Sequence, residues 1–187
     1  MKQGRVYETF TTTDGRRIVL RTLAAKDLRE CVRFVNTLVE ERAVNRDLGI
    51  LLDTKATPKG EGQWLARRLA AARKGTSFGV AAFHNGRLVG NCEVSRGTFQ
   101  DTRHSGTLGI AIVDGYRGAG LGRRMLEVLL AASKKGGVSL VELAVLSINR
   151  RAIRLYRDLG FTKYGTIPGK IRRGSRRIDE IVMYRQA

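Results

Sequence analysis

The segment Gly109-Ile110-Ala111-Ile112-Val113-Asp114-Gly115-Tyr116-Arg117-Gly118-Ala119-Gly120-Leu121-Gly122 is where the chain is best suited to chemistry. An apolar run enters a glycine-rich turn, and an apolar-periodic stretch follows. The pattern predicts strand, turn and helix. Glycines let backbone amides approach a ligand with no Cβ in the way. The start of a helix adds free N–H groups and the positive end of its dipole, which together favour phosphate. Arg117, Arg123 and Arg124 place further positive charge there. The chemistry implied is the holding of a phosphate or diphosphate. A P-loop is excluded because no Gly-Lys-Ser/Thr closes the turn, and a dinucleotide fingerprint because Arg123 stands where its third glycine belongs. The pattern present is Arg117-x-x-Gly120-x-Gly122.

A second group lies downstream, in Asn149-Arg150-Arg151-Ala152-Ile153-Arg154-Leu155-Tyr156-Arg157-Asp158-Leu159-Gly160-Phe161. Read alone, Asn149 is a helix N-cap and Tyr156 a core aromatic. Of the carboxylates Glu93, Asp114 and Glu142, Glu93 is best placed to face a cleft, although a solvated strand residue is the simpler reading. His84 and His104 read as surface histidines at loop edges. Cys31 and Cys92 form neither a disulfide framework nor a metal set by themselves, and Cys92 reads as a small core residue. No metal is expected.

Positioning these groups takes an ordered set of elements. Strands are predicted over 17–22, 78–84, 88–94, 107–113, 138–146, 161–167 and 177–184, with Asn85-Gly86 as a type I′ hairpin turn. Helices are predicted over 26–42, with Leu28, Val32, Val35 and Val39 on one stripe, and over 63–74, 121–135 and 149–159. The run 138–146 reads as a central strand buried on both faces. The order, β-α-α-β-β-β-α-β-α-β-β, gives a mixed α/β sheet. A meander leads into one right-handed βαβ crossover, and helices cover both faces.

The chain has 187 residues, 42% hydrophobic and 28% charged, which excludes a disordered or collagenous chain. One domain over 1–187 is expected, its core about 17–185. No apolar stretch approaches membrane-span length and no secretory signal is read at Met1–Arg5, so a cytoplasmic, reduced protein is expected. Thirty-five Lys and Arg oppose 17 Asp and Glu, for a net charge of +18. A basic protein of this kind attracts polyanions, and non-specific polyanion contact is one expectation. A plain solvated basic surface is the other.

The two motifs together resemble the GNAT N-acetyltransferases. That family has Gln/Arg-x-x-Gly-x-Gly/Ala between a strand and a helix, then Asn-x-x-Ala-x-x-x-Tyr-x-x-x-Gly-Phe. The resemblance covers about 17–185 and is tightest over 108–161. It implies the GNAT fold, a mostly antiparallel sheet with one central parallel pair. It implies acetyl-CoA as cosubstrate, lying in a V between strands 107–113 and 138–146. The backbone of Ile110, Ala111 and Ile112 would meet the pantetheine arm. Arg117, Gly118, Ala119, Gly120, Leu121, Gly122 and Arg123 would surround the diphosphate, and Asn149 would reach the same region. An N–H near Ile112 would stabilise the oxyanion. Tyr156 would protonate the departing thiolate, with Arg154 and Arg157 holding its pKa down. The base stays open between Glu93 and a water chain. Members that acetylate ribosomal-protein alanines carry a Glu five residues before the helix Asn; here that residue is Ala144. The tail, with Asp179, Glu180 and Met183, is similar to members acting on small amines or amino acids. The acceptor expected is a primary amine, of a small amine, an amino acid or a protein, and a homodimer is expected because many relatives form one. The competing reading is a nucleic-acid- or ribosome-associated binding protein on the same scaffold.

Overall fold

A computed structural model describes residues 2–45 and 48–186. The strands are β1 (Val6–Thr11), β2 (Arg17–Arg21), β3 (Ser77–His84), β4 (Arg87–Arg96), β5 (Ser105–Ile112), β6 (Leu140–Leu146), β7 (Thr162–Arg173) and β8 (Arg176–Gln186). The helices are α1 (Leu28–Val44), α2 (Pro58–Lys74), α3 (Leu121–Lys135) and α4 (Arg150–Asp158). The strands form one sheet in the order β1-β2-β3-β4-β5-β6-β8-β7. Every pairing is antiparallel except β5 with β6.

Alternation along β4 shows which helices cover which face. The Cys92 thiol points at the Met125 carbonyl of α3. Glu93, one residue on, turns to the other face and pairs with Arg68 of α2. So α1 and α2 cover one face. α3 covers the other with α4, whose Leu155 packs against Gly122. Leu121, Met125, Leu126 and Leu129 of α3 are fully buried against Val80 and Val94. Ile18 and Leu20 are fully buried as the alternation of β2 requires. The Asn85-Gly86 turn has both residues at positive φ (48° and 77°), the type I′ geometry.

Three expectations are corrected. On α1 the buried seam is Cys31, Phe34 and Leu38. The stripe of Leu28, Val32, Val35 and Val39 is only half-buried, because the larger Phe34 and Leu38 fill the space above the sheet. α2 begins five residues early, since Pro58 suits the first helical turn and the Thr57 hydroxyl accepts the Gly60 N–H at 3.1 Å. On β6, Val141, Leu143 and Val145 are buried, but Leu140 and Glu142 are half-exposed and Ala144 is exposed. One face of this strand is therefore the wall of an open cleft.

Candidate active site

The parallel pairing of β5 with β6 lasts for three residue pairs, Ser105↔Leu140, Gly106↔Val141 and Thr107↔Glu142. Beyond Thr107 no ladder joins them. The Val113 amide donates to Val89 of β4 at 3.0 Å. By alternation the amides of Gly109 and Ala111 also face β4. Those of Leu108, Ile110 and Ile112 face the gap. An extended ligand arm could therefore pair with Ile110 and Ile112, while Ala111 can meet it only by its side chain. On the Glu93 face Gly109 borders open space, where a Cβ would have nothing within 4 Å.

Past the gap, Val113 to Gly120 forms the loop before α3. Gly115, Gly118 and Gly120 have φ of 73°, 89° and 81°, a region that L side chains avoid. Gly120 is the N-cap of α3 and offers no side chain to its first amides, and no acidic residue occupies the first turn. The α3 N-terminus is thus left free for an anion.

The three arginines expected to supply charge are already partnered. Arg117 donates through Nε to the Ile112 carbonyl at 2.8 Å, and through Nη2 to Glu41 of α1. The second Glu41 oxygen accepts the Asp114 amide at 2.7 Å. Arg123 pairs with Asp158 at 2.7 Å, and Arg124 with Glu8 and Glu127. The guanidinium over the loop is that of Arg151, from the first turn of α4. A Cβ on Gly118 would lie 1.6 Å from its Nη2. Arg151 makes no hydrogen bond or ion pair among the described residues.

Other contacts hold the loop from outside. Thr13 N–H donates to the Ala119 carbonyl at 3.1 Å. His84 Nδ1 is 2.8 Å from the Tyr116 hydroxyl, and the Arg16 guanidinium stacks 4.4 Å from the Tyr116 ring centre. His84 is therefore half-buried in the loop's support and is not a free surface histidine.

Asn149 caps α4, its Oδ1 accepting the Ala152 amide at 3.2 Å, and its Nδ2 faces Gly49. Tyr156 is 6% exposed and stacks edge-on with Phe161 at 5.8 Å between centres. Burial, and the neighbouring Cys92, push its phenol up to about 12. The expected lowering by Arg154 and Arg157 does not occur, because neighbours at i−2 and i+1 on a helix point elsewhere. Proximity to Cys92 places Tyr156 on the α3–α4 face.

Glu93 stands on the opposite face, level with Gly109 in the β4–β5 register. Its Oε1 accepts from Arg68 and from the Ser95 hydroxyl, each at 2.8 Å. Glu142 stands on that face too, at the vertex of the gap, and accepts from the Tyr164 hydroxyl at 3.2 Å. Sequence reasoning missed Glu41, Tyr116, Arg151 and Arg68. Arg151 lay within the quoted α4 motif. Glu41 and Arg68 had no local signal, since each acts across more than twenty residues of chain.

The family model described as acetyltransferase (GNAT) family matches residues 48–161. The chain belongs to the GNAT acetyltransferases. Solved structures agree in fold. A GNAT-family acetyltransferase from Streptococcus pneumoniae is 24% identical, with a TM-score of 0.81 over 91% of this chain and 99% of that one. A ribosomal-protein-alanine N-acetyltransferase from Brucella melitensis is 25% identical, with a TM-score of 0.76 over 90% and 99%. A GNAT-superfamily phosphinothricin acetyltransferase from Sinorhizobium meliloti, solved in complex with acetyl-CoA, is 21% identical, with a TM-score of 0.75 over 90% and 88%. No curated protein matches the sequence. No helix among the described residues is long and apolar enough to cross a membrane.

Proposed function

We propose that this GNAT protein moves an acetyl group from acetyl-CoA to a primary amine by direct transfer. The observation that carries the reading is the continuity of two features. The gap beyond Thr107↔Glu142 leads straight to an uncapped α3 N-terminus behind left-handed glycines. An extended arm ending in a diphosphate fits both at once, in the manner of strand addition. Acetyl-CoA supplies the thioester that the amine attacks.

The chain's own groups then divide the work. The amides of Gly118 to Arg123 hold the diphosphate, and Arg151 closes over it. Arg117 and Glu41 keep the loop in shape. Asn149 keeps α4 in register, its Oδ1 on the Ala152 amide and its Nδ2 toward Gly49. With the diphosphate on the loop, the acetyl end lies toward the vertex. The Ile110 N–H, deeper in the gap than Ile112, is the donor placed to stabilise charge on the thioester oxygen.

Glu93 and Tyr156 flank the gap from opposite faces. Glu93, through its second oxygen or a water, accepts the proton that the attacking amine loses. Tyr156 faces the leaving sulfur. A phenol near 12 stays protonated at working pH. A thiolate has a pKa near about 8.5, so full proton transfer from such a phenol is uphill. Tyr156 therefore stabilises the thiolate by hydrogen bonding, a refinement of the general-acid role.

The acceptor side is the open face carrying Glu93, Thr107, Glu142 and Ala144. Carboxylates there suit small amines, amino acids or a protein amine. A cytoplasmic catalytic domain over 1–187, with Cys31 and Cys92 free and buried, fits this use. Homodimer formation is part of the same proposal. The test is thiol release from acetyl-CoA over a panel of amino acids, polyamines and peptides. Amine-dependent release supports the reading; no acetyl-CoA binding at all contradicts it.

A further inference from the structure

We propose that the tip of the β7–β8 ribbon, carried by Lys170, Arg172 and Arg177, is a docking surface for the phosphate backbone of a nucleic-acid duplex. The proposal is independent of acetyl transfer. It starts from the sheet register. β6 pairs with β8 only as far as Leu146↔Glu180, whereas β7 and β8 stay paired out to Arg173↔Arg176. The last part of the hairpin is thus a two-stranded ribbon beyond the third strand, closed by Gly174 at φ 63° and Ser175.

The ribbon has an anchored side and an open side. Ile178 is 3% exposed, and on its face Arg173 donates to the carbonyls of Leu48 at 2.8 Å and Ile50 at 3.3 Å. On the other face Arg172 stands directly opposite Arg177, with Lys170 two residues before Arg172, and all three are exposed. From Leu159 to Ile178 there are six Lys and Arg and no Asp or Glu. Asp179, next along, has its Oδ1 engaged by the Gly169 amide at 2.8 Å.

Here two arginines oppose one another on the open face, Arg172 to Arg177. Directly opposed like charges destabilise a hairpin. A polyanion removes that repulsion, and guanidinium forks pair with phosphate oxygens bidentately. A two-stranded ribbon also has the dimensions that the major groove of a DNA duplex admits. The packing on Leu48 and Ile50 presents the tip preformed.

The test is fluorescence anisotropy of the full chain with labelled 20-base-pair RNA and DNA duplexes, between 50 and 200 mM KCl. The triple variant Lys170→Gln/Arg172→Gln/Arg177→Gln is compared with Arg29→Gln/Arg67→Gln/Arg73→Gln, which removes the same charge from exposed positions on α1 and α2. Loss of three counterion-releasing contacts implies a fall in affinity on the order of 100-fold at 0.1 M salt, and a salt slope shallower by about 2.7. The helix variant is expected to lose only a few-fold. The melting temperature of the ribbon variant should hold or rise, because the opposed charge is gone. If the triple variant unfolds, Arg177→Gln alone should cost about 5- to 10-fold. Preference for RNA, for DNA or for neither fits a claim about the shared backbone. Equal losses in both triple variants would overturn the proposal. So would wild-type protein that binds anionic vesicles but no duplex, or that binds neither.

Discussion

The Val113–Gly120 loop with its following helix turn and the β7–β8 ribbon tip look alike in sequence, since both are short, glycine-containing and rich in arginine. In space they are opposites. Around the loop, Arg117, Arg123 and Arg124 are each met by a carboxylate from elsewhere in the fold: Glu41, Asp158, and Glu8 with Glu127. At the ribbon tip, Arg172 faces Arg177 on the open side. Charge in a sequence window therefore says little about charge available to a ligand. In the roles proposed for them, the loop binds through backbone amides and Arg151, and the tip through side chains.

That contrast predicts where substitutions act. The largest effect is expected for Gly120→Asp. Its carboxylate would stand against the diphosphate at the α3 N-terminus, in a left-handed backbone (φ 81°). Acetyl-CoA affinity should fall at least ~100-fold by calorimetry, on the order of two charge-assisted contacts. Duplex binding should stay at the wild-type level.

Next is Tyr156→Phe, which keeps the ring against Phe161 and removes only the hydroxyl. We expect kcat to fall on the order of 10²-fold with the acetyl-CoA dissociation constant unchanged, the signature of an interaction made mainly in the transition state. Steady-state kinetics across pH 6–9 should show the same ratio throughout, because a phenol held near 12 does not ionise in that range. Equal kcat for both forms would leave Tyr156 as packing alone.

Arg151→Gln should raise KM for acetyl-CoA about 3- to 10-fold with kcat intact, the loss of one charge-assisted contact to phosphate. Arg154→Gln, one turn away and exposed, is the comparison and should change neither.

The last effect concerns stability and pH rather than activity. Burial pushes the Cys31 thiol and the Tyr156 phenol up to about 12. Cys92 is raised as well, also by burial. A raised pKa means the folded state keeps its proton longer. The stabilisation is full below the unfolded values, near about 9 for a thiol and 10 for a phenol. It is lost as pH rises from there through the folded values. Urea midpoints should be flat from pH 7 to 8.5. Between pH 9 and 10 they should fall, with the unfolding free energy lower by roughly 1 kcal/mol per buried thiol.

What the sequence made legible follows the range of the interactions. The strand, glycine turn and helix over 109–135 depend on neighbours a few residues apart, and so does the α4 motif; both were readable. β1 was not, because Val6–Thr11 is an edge strand without clean alternation, whose one strand neighbour is β2. β7 was read as ending at Ile167, just before Pro168. The strand continues because a register shift between Ile167 and Ile171 accommodates the proline. Glu41 clamps a loop 73 residues away, and no local pattern announces it. The proposed acceptor face draws on single residues of β4, β5 and β6, so no contiguous stretch of sequence encodes it.

Amide hydrogen exchange with and without acetyl-CoA tests the central claim most directly, because the coenzyme is assigned to backbone N–H groups. The account predicts added protection at Ile110, Ile112 and the amides of Gly118 to Arg123. No change is predicted at Arg172 to Arg177. Protection at the ribbon tip, or none along the β5 side of the gap, would contradict it.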